Sequence, residues 1–283
     1  MNKDLLVKRI GNTFVGEIEG IDLAVDHDAA SIILIRDALL EHKVLVFRNQ
    51  KLSNEDHVNF SKKFGLSEFH NVTHYLLPNF PEILVLSNRG NDGTKPVANG
   101  GAYWHSDMSY KAIPPMGSIL YALEVPPKGG DTMFSDMEAA YENLPHTCKS
   151  EIKGLEAVHS YLPRFFKQRA EDEKFKNQQF ELSDEQKSKF PEVVHPVVSF
   201  HPEAKYKVLF VNEGFTTRIK GLKKEKSDIL LEKLYQHATK DCFVYVHKWS
   251  AGDVVFWDNR STMHKATSYN LKYPRRMHRT TIR

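Results

Sequence analysis

The sequence predicts a mainly β protein with flanking helices, built as a sandwich or barrel, and three observations carry that expectation. From residue 102 onward, short apolar runs recur with turn residues between them, the texture of sandwiches and barrels. Helical periodicity is confined to a few segments, most of them near the start and close to the end of the chain. No glycine-rich turn of the dinucleotide or P-loop type is present, which removes the common parallel α/β alternatives.

The elements follow in order. Thr13 to Glu19 alternates like a strand, and Ala29 to His42 carries Ile32, Ile33, Ile35, Leu39 and Leu40 at helical spacing. Lys43 to Phe47 is a short apolar run rich in β-branched residues, read as a buried strand. Ser53 with Asp56 is an N-cap pattern opening a helix through Phe64. After Ile83–Leu86, the polar stretch 88–101 holds four glycines and reads as a long functional loop, a lid over bound substrate. Strands are expected around Trp104 and over Ser118–Leu123, Asp131–Ser135, Glu156–Tyr161, Val193–Phe200 and Lys207–Asn212. Further strands are expected over Cys242–Lys248, Asp253–Trp257, Thr262–Ser268 and Arg276–Ile282. The polar segment 167–189 reads as a helical or mobile insertion, and Lys223 to Lys240 as a helix with Ile229, Leu230, Leu234 and Tyr235 on one face.

Composition narrows the function classes. The 283 residues are 41% hydrophobic, 27% charged and 11% aromatic, an ordinary globular profile. No apolar run approaches the roughly 18–20 residues of a membrane span, so no membrane partner is expected. The first residues lack a signal-peptide core, and Cys148 and Cys242 are too few for a disulfide framework, so a cytoplasmic location is expected. The formal net charge is only +3 and no nucleic-acid partner is expected.

The chemistry gathers at Trp104-His105-Ser106-Asp107. Read as a strand, this segment puts alternate side chains on one face, so His105 and Asp107 converge on one point. An imidazole and a carboxylate so placed are two members of a 2-His-1-carboxylate triad, and His264 is the candidate third. Arg275 and Arg279 are four residues apart and share a face if the tail is a strand. Their planar guanidinium groups suit carboxylate ligands. Asp107→Ala is expected to remove turnover and leave the fold intact.

With these motifs in place the chain resembles the taurine dioxygenase / dichlorophenoxyacetate dioxygenase family of Fe(II)- and α-ketoglutarate-dependent oxygenases. The likeness is carried by WHSD at 104–107, GGDT at 129–132, FVNEGFTTRI at 210–219, WDNRSTMH at 257–264 and RRMHRTTI at 275–282. It implies a double-stranded β-helix (a jelly roll of the clavaminate synthase-like kind) formed by 1–283 as one domain. It also implies His105, Asp107 and His264 as iron ligands, with α-ketoglutarate and O₂ as cosubstrates. Thr132 and Arg275 would bind α-ketoglutarate, while His70, Gly101, Phe215 and Arg279 would line the substrate site. A homo-oligomer, dimer or tetramer, is expected by the same resemblance.

The implied substrate is a small anionic organic molecule: a sulfonate, a sulfate ester, or an aryloxy or alkyl carboxylate. Departures from the taurine branch of the family are Gly100-Gly101, Thr73 and Arg164, where that branch has a polar pair, a tyrosine and a small serine. Two other classes use the same His-x-Asp…His pattern. A zinc hydrolase would need neither Thr132 nor Arg275, and a non-catalytic anion-binding jelly roll would consume no O₂.

Overall fold

The computed structural model describes residues 5–70, 73–90, 93–94, 96–97, 100–171, 183, 188 and 190–283. The first strands are β1 (Leu6–Arg9), β2 (Val15–Glu19), β3 (Val44–Phe47), β4 (Leu76–Leu77) and β5 (Phe80–Ser87). Next come β6 (Gly117–Glu124), β7 (Thr132–Asp136), β8 (Glu156–His159), β9 (Val193–Pro196) and β10 (Val198–Phe200). The remainder are β11 (Lys207–Leu209), β12 (Thr216–Ile219), β13 (Val244–His247), β14 (Val254–Asp258), β15 (Thr262–Ala266) and β16 (Arg276–Ile282). Helices are α1 (Ala29–His42), α2 (Asn54–Lys62), α3 (Met137–Glu142), α4 (His146–Ile152), α5 (Leu162–Glu171) and α6 (Lys224–Ala238).

Eight strands form the major sheet, in the order β1-β2-β3-β14-β6-β16-β5-β4, with only β2 and β3 parallel among its pairs. A smaller sheet, β13-β7-β15, faces it, and β12-β8-β9 and β10-β11 extend the structure beyond. The two faces of the major sheet are legible in its side chains, which alternate along each strand. Leu120, Ala122, Val255, Trp257 and Met277 point inward and pack with Phe134 of the smaller sheet. Ile119, Tyr121, Val254, Phe256 and Ile282 point outward, against Ile35 and Leu39 of α1 and Phe60 of α2. Burial on both faces explains why β3 and β14 read as unbroken apolar runs. Each such fully buried side chain contributes about 1.5–3 kcal/mol. A further apolar cluster packs α3, α4 and α6 on the far side of the smaller sheet. This is the jelly-roll architecture.

Local chemistry sets the helix ends. Asp28 caps α1 by accepting the Ser31 N–H at 2.9 Å. Ser53 and Asp56 complete a capping box on α2, as expected from their spacing. The expected boundaries of α1, α2 and α6 agree with the structure to within about two residues.

Some expectations are corrected. Ile33 and Ile229 do not join the buried stripes of α1 and α6 and are exposed, while Leu231 is buried in place of Ile229. With 3.6 residues per turn the buried stripe of each helix is limited in width, and an apolar position beyond its edge faces water. Cys242 lies in a short 3₁₀ turn, Asp241–Phe243, rather than a strand. Val193–Phe200 is broken at Val197, whose N–H goes to the Leu155 carbonyl. The expected lid at 88–101 and the insertion at 167–189 lie partly outside the described residues; within the second, α5 reaches Glu171.

Beneath the outer face of β16, His57 of α2 is fully enclosed, its Nε2 3.3 Å from the Ile119 carbonyl and 3.2 Å from Thr280 Oγ1. Burial pushes its pKa down to about 4. Between pH 6.5 and 4 the unfolded chain therefore binds a proton at His57 that the folded chain refuses, and stability falls as pH drops through that window. At about 1.4 kcal/mol per pKa unit the loss reaches roughly 3 kcal/mol near pH 4. Urea unfolding at several pH values should show this slope in the wild type and a shallower one in His57→Asn. Equal slopes would exclude His57 as the source.

Candidate active site

Asp107 does not sit on a strand. Among residues 102–110 the ladder is a single bridge, His105 opposite His264, with reciprocal backbone bonds of 3.0 and 2.8 Å. The chain turns immediately afterwards, and Met108 adopts φ +50°. The Asp107 N–H leaves the ladder for the Asn259 side-chain oxygen at 3.3 Å. Convergence of His105 and Asp107 therefore comes from a turn, not from strand alternation, which corrects the reading above. The bridge itself juxtaposes the two imidazoles, whose ring centroids are 4.1 Å apart.

The resulting cluster is compact and buried. His105 Nε2 is 3.8 Å and His264 Nε2 3.9 Å from Asp107 Oδ1, and the ligand-type atoms of all three residues lie within 4.8 Å of one another. Both sheets contribute. Arg279 of β16 donates from Nη1 to Asp107 Oδ1 at 2.6 Å, and Ser118 of β6 donates to Oδ2 at 2.8 Å. Ser118 in turn accepts from Asn259 Nδ2 at 3.1 Å, and the Asn259 oxygen accepts the Trp257 indole N–H at 2.9 Å. Trp257, Asn259 and Ser118 thus fix the carboxylate plane.

Protonation follows from these contacts. Burial opposes the charge on Asp107, yet the Arg279 guanidinium and the Ser118 hydrogen bond hold its carboxyl well below the usual carboxylate range. Burial lowers the pKa of both His105 and His264, so both rings are neutral. His105 Nδ1 lies 2.8 Å from the Tyr103 carbonyl, which can only accept, so the proton is on Nδ1 and the Nε2 lone pair faces the cluster. His264 Nδ1 is buried with no hydrogen-bond partner among the described residues. Its ring is steered by packing on Trp257 and Phe134. Two neutral imidazoles and one ionised carboxylate, converging in a buried site, are the donor set of a non-haem Fe(II) centre, and these residues fit that ion.

Strand β7 brings Thr132 toward the cluster, and Arg275 meets Gly130, two residues before Thr132. Thr132 sits on β7, whose register pairs it with Ala266, two residues beyond His264. Its Oγ1 accepts the Trp249 indole N–H at 3.0 Å, leaving the hydroxyl proton free for an anion. Arg275 is buried, its Nε 3.3 Å from the Gly130 carbonyl. Burial lowers its pKa; Tyr269 and the Asp131 carboxylate, near but not in an ion pair with it, pull the other way.

Phe215 packs edge-on against His105 at 6.0 Å and joins Tyr103, Met108 and Tyr110 in an apolar wall. His70 is half-buried, two residues beyond Glu68, whose N–H bonds the Thr281 carbonyl of β16. Gly101 has φ +76°, and a Cβ there would stand 3.2 Å from His105 Cε1. Gly101→Ala should cost about 1–2 kcal/mol for the left-handed backbone and press the His105 ring out of place. Fe(II) or Co(II) titration should show weakened metal binding; unchanged affinity would remove the crowding argument. Ser118 and Tyr103 carried no sequence signal, since each matters only through a partner distant in the chain, and Trp249 stood at the end of the family-like segment 237–249 with no assigned role. Asn259 was inside the WDNRSTMH motif but had no assigned role.

Comparison with known proteins agrees with this geometry. The model of the family described as taurine catabolism dioxygenase TauD, TfdA family matches residues 6–281. The α-ketoglutarate-dependent 2,4-dichlorophenoxyacetate dioxygenase of Cupriavidus pinatubonensis is 33% identical over 279 residues, covering 95% of this chain and 94% of that protein. An alkylsulfatase of Acinetobacter baylyi is 34% identical over 276 residues, covering 94% of this chain and 81% of that protein. The crystal structure of AAD-2 in complex with Mn(II) and N-oxalylglycine superposes with a TM-score of 0.80 at 32% identity, covering 98% of this chain and 96% of that one. By sequence along its length and by fold, the chain belongs to the taurine catabolism dioxygenase TauD, TfdA family.

Proposed function

We propose that this α-ketoglutarate-dependent dioxygenase hydroxylates a small anionic organic substrate held beside His105, Asp107 and His264, the whole chain serving as one dioxygenase domain. The carrying observation is the convergence of two imidazole Nε2 atoms on Asp107 Oδ1, with Arg275 buried and in no ion pair among the described residues. His105, Asp107 and His264 would hold Fe(II), which when bound supplies the oxidising chemistry that couples decarboxylation of α-ketoglutarate to hydroxylation.

The chain's own residues do the rest. Arg275 and the Thr132 hydroxyl hold the far carboxylate of α-ketoglutarate, and Trp249 aims that hydroxyl. Arg279 offsets the charge of Asp107 and turns its remaining N–H groups toward the substrate anion; its buried Nε has no partner among the described residues. His70 contributes a second contact to that anion. Phe215, Tyr103, Met108 and Tyr110 exclude water and keep the reacting carbon at short range. Relatives named for 2,4-dichlorophenoxyacetate, phenoxypropionate, alkyl sulfate and sulfonate support an anionic substrate that is an aryloxyalkanoate, a sulfate ester or a sulfonate.

The test is O₂ uptake and succinate formation with Fe(II), ascorbate and α-ketoglutarate, across aryloxyalkanoates, alkyl sulfates and alkanesulfonates. Stoichiometric succinate with at least one of them is expected. Product release without succinate would indicate a zinc hydrolase instead, and ligand binding without O₂ uptake a binding protein.

A further inference from the structure

We propose that Arg164 is a second anion-recognising residue of the substrate pocket and its specificity determinant, meeting a carboxylate, sulfonate or sulfate group one aromatic ring away from the metal triad. The proposal rests on the dioxygenase reading above and deepens it.

The placement begins with α5. Tyr161, just before that helix, packs on Tyr110 at 5.0 Å, and Tyr110 packs on Phe215 at 4.8 Å. These rings tie the first turn of α5 to the apolar wall of the site. Arg164 reaches from that turn to lie 3.7 Å from the centroid of the Tyr103 ring. The Tyr103 ring is itself 4.7 Å from that of His105. A single aromatic ring therefore separates the guanidinium from a triad imidazole.

Two cations border this wall, and they are not equivalent. Arg279 is already engaged with Asp107 at 2.6 Å. Arg164 has no acidic partner among the described residues, and its Nε is buried without a hydrogen-bond partner. The Arg164 guanidinium contacts Tyr103, and its edge carries five N–H donors, more than one tyrosine can engage. A partly buried cation without a counter-charge is costly, and an anion presented to that edge relieves the cost. The aromatic surroundings suit an aryl or alkyl body carrying the anion, whereas a two-carbon aminosulfonate would leave the wall uncovered. The serine of the taurine branch at this position would supply neither charge nor stacking.

Binding to the Mn(II)- and α-ketoglutarate-loaded protein tests this by calorimetry. Phenoxyacetate, hexyl sulfate and hexanesulfonate are compared with the neutral analogues phenoxyethanol and hexanol, in wild type, Arg164→Ser and Arg164→Lys. Wild type should prefer at least one anion over its neutral analogue. Arg164→Ser should lower that preference about 10- to 100-fold, the range for a hydrogen bond to a charged group. Arg164→Lys should restore part of it, and α-ketoglutarate affinity should be the same in all three proteins. An anion preference unchanged in Arg164→Ser, loss of anion and neutral binding in equal measure, or no preference in wild type would each overturn the proposal. Absence of succinate formation in wild type with every probe would overturn the dioxygenase reading instead, leaving the binding comparison to decide Arg164.

Discussion

Asp107→Ala is expected to abolish metal binding and turnover and also to destabilise the fold, measured by Fe(II) or Co(II) titration and by urea unfolding. Oδ1 is the atom on which both imidazoles converge, and the carboxylate is the only charge among the three proposed ligands. Two neutral imidazoles alone hold a divalent ion weakly. The stability effect is a consequence of structure that the sequence reading did not anticipate. Asp107 is buried against Arg279, so its removal strands a buried guanidinium. Breaking such a pair from one side costs about 3–5 kcal/mol. Asp107→Asn, which keeps the hydrogen bonding to Ser118 in part, should lose metal affinity with a smaller loss of stability. Iron content equal to wild type in either variant would sink the ligand assignment, and unchanged urea stability in Asp107→Ala would remove the Arg279 argument.

Arg275→Gln is expected to raise the Michaelis constant for α-ketoglutarate by roughly 30- to several-thousand-fold, the equivalent of about 2–5 kcal/mol for truncating one partner of a buried charge pair. Arg275 is enclosed, its Nε donating to the Gly130 carbonyl two residues before Thr132, whose hydroxyl accepts from Trp249 and donates to no partner among the described residues. Affinity for Fe(II) should hold, because Arg275 does not touch the triad. Arg279→Gln should behave differently. Its contact with Asp107 means that the substitution disturbs the metal site as well as substrate binding, so metal titration separates the two variants more clearly than substrate kinetics alone. A shared phenotype, or unchanged α-ketoglutarate saturation in Arg275→Gln, would reject the division of roles.

Much of this protein was legible in its sequence because the relevant signals are local. The spacing of Ile35 and Leu39, the Ser53–Asp56 cap and the β-branched run at Val44–Phe47 each declare an element within a few residues. His105, Asp107, His264 and Arg275 could be named from residue type and spacing, and Thr132 through the family resemblance of its GGDT motif. Tertiary structure alone decided how they act. That Asp107 lies in a turn, that Arg279 spends a hydrogen bond on it, and that Ser118 and Asn259 fix its plane depend on strands far apart in the chain coming together in one register. The same holds for Arg164 settling on Tyr103 and for Ile33 and Ile229 facing water. Periodicity along one segment says which side chains share a face. What that face meets is set by burial and pairing against distant segments, and those contacts leave no pattern within the segment itself.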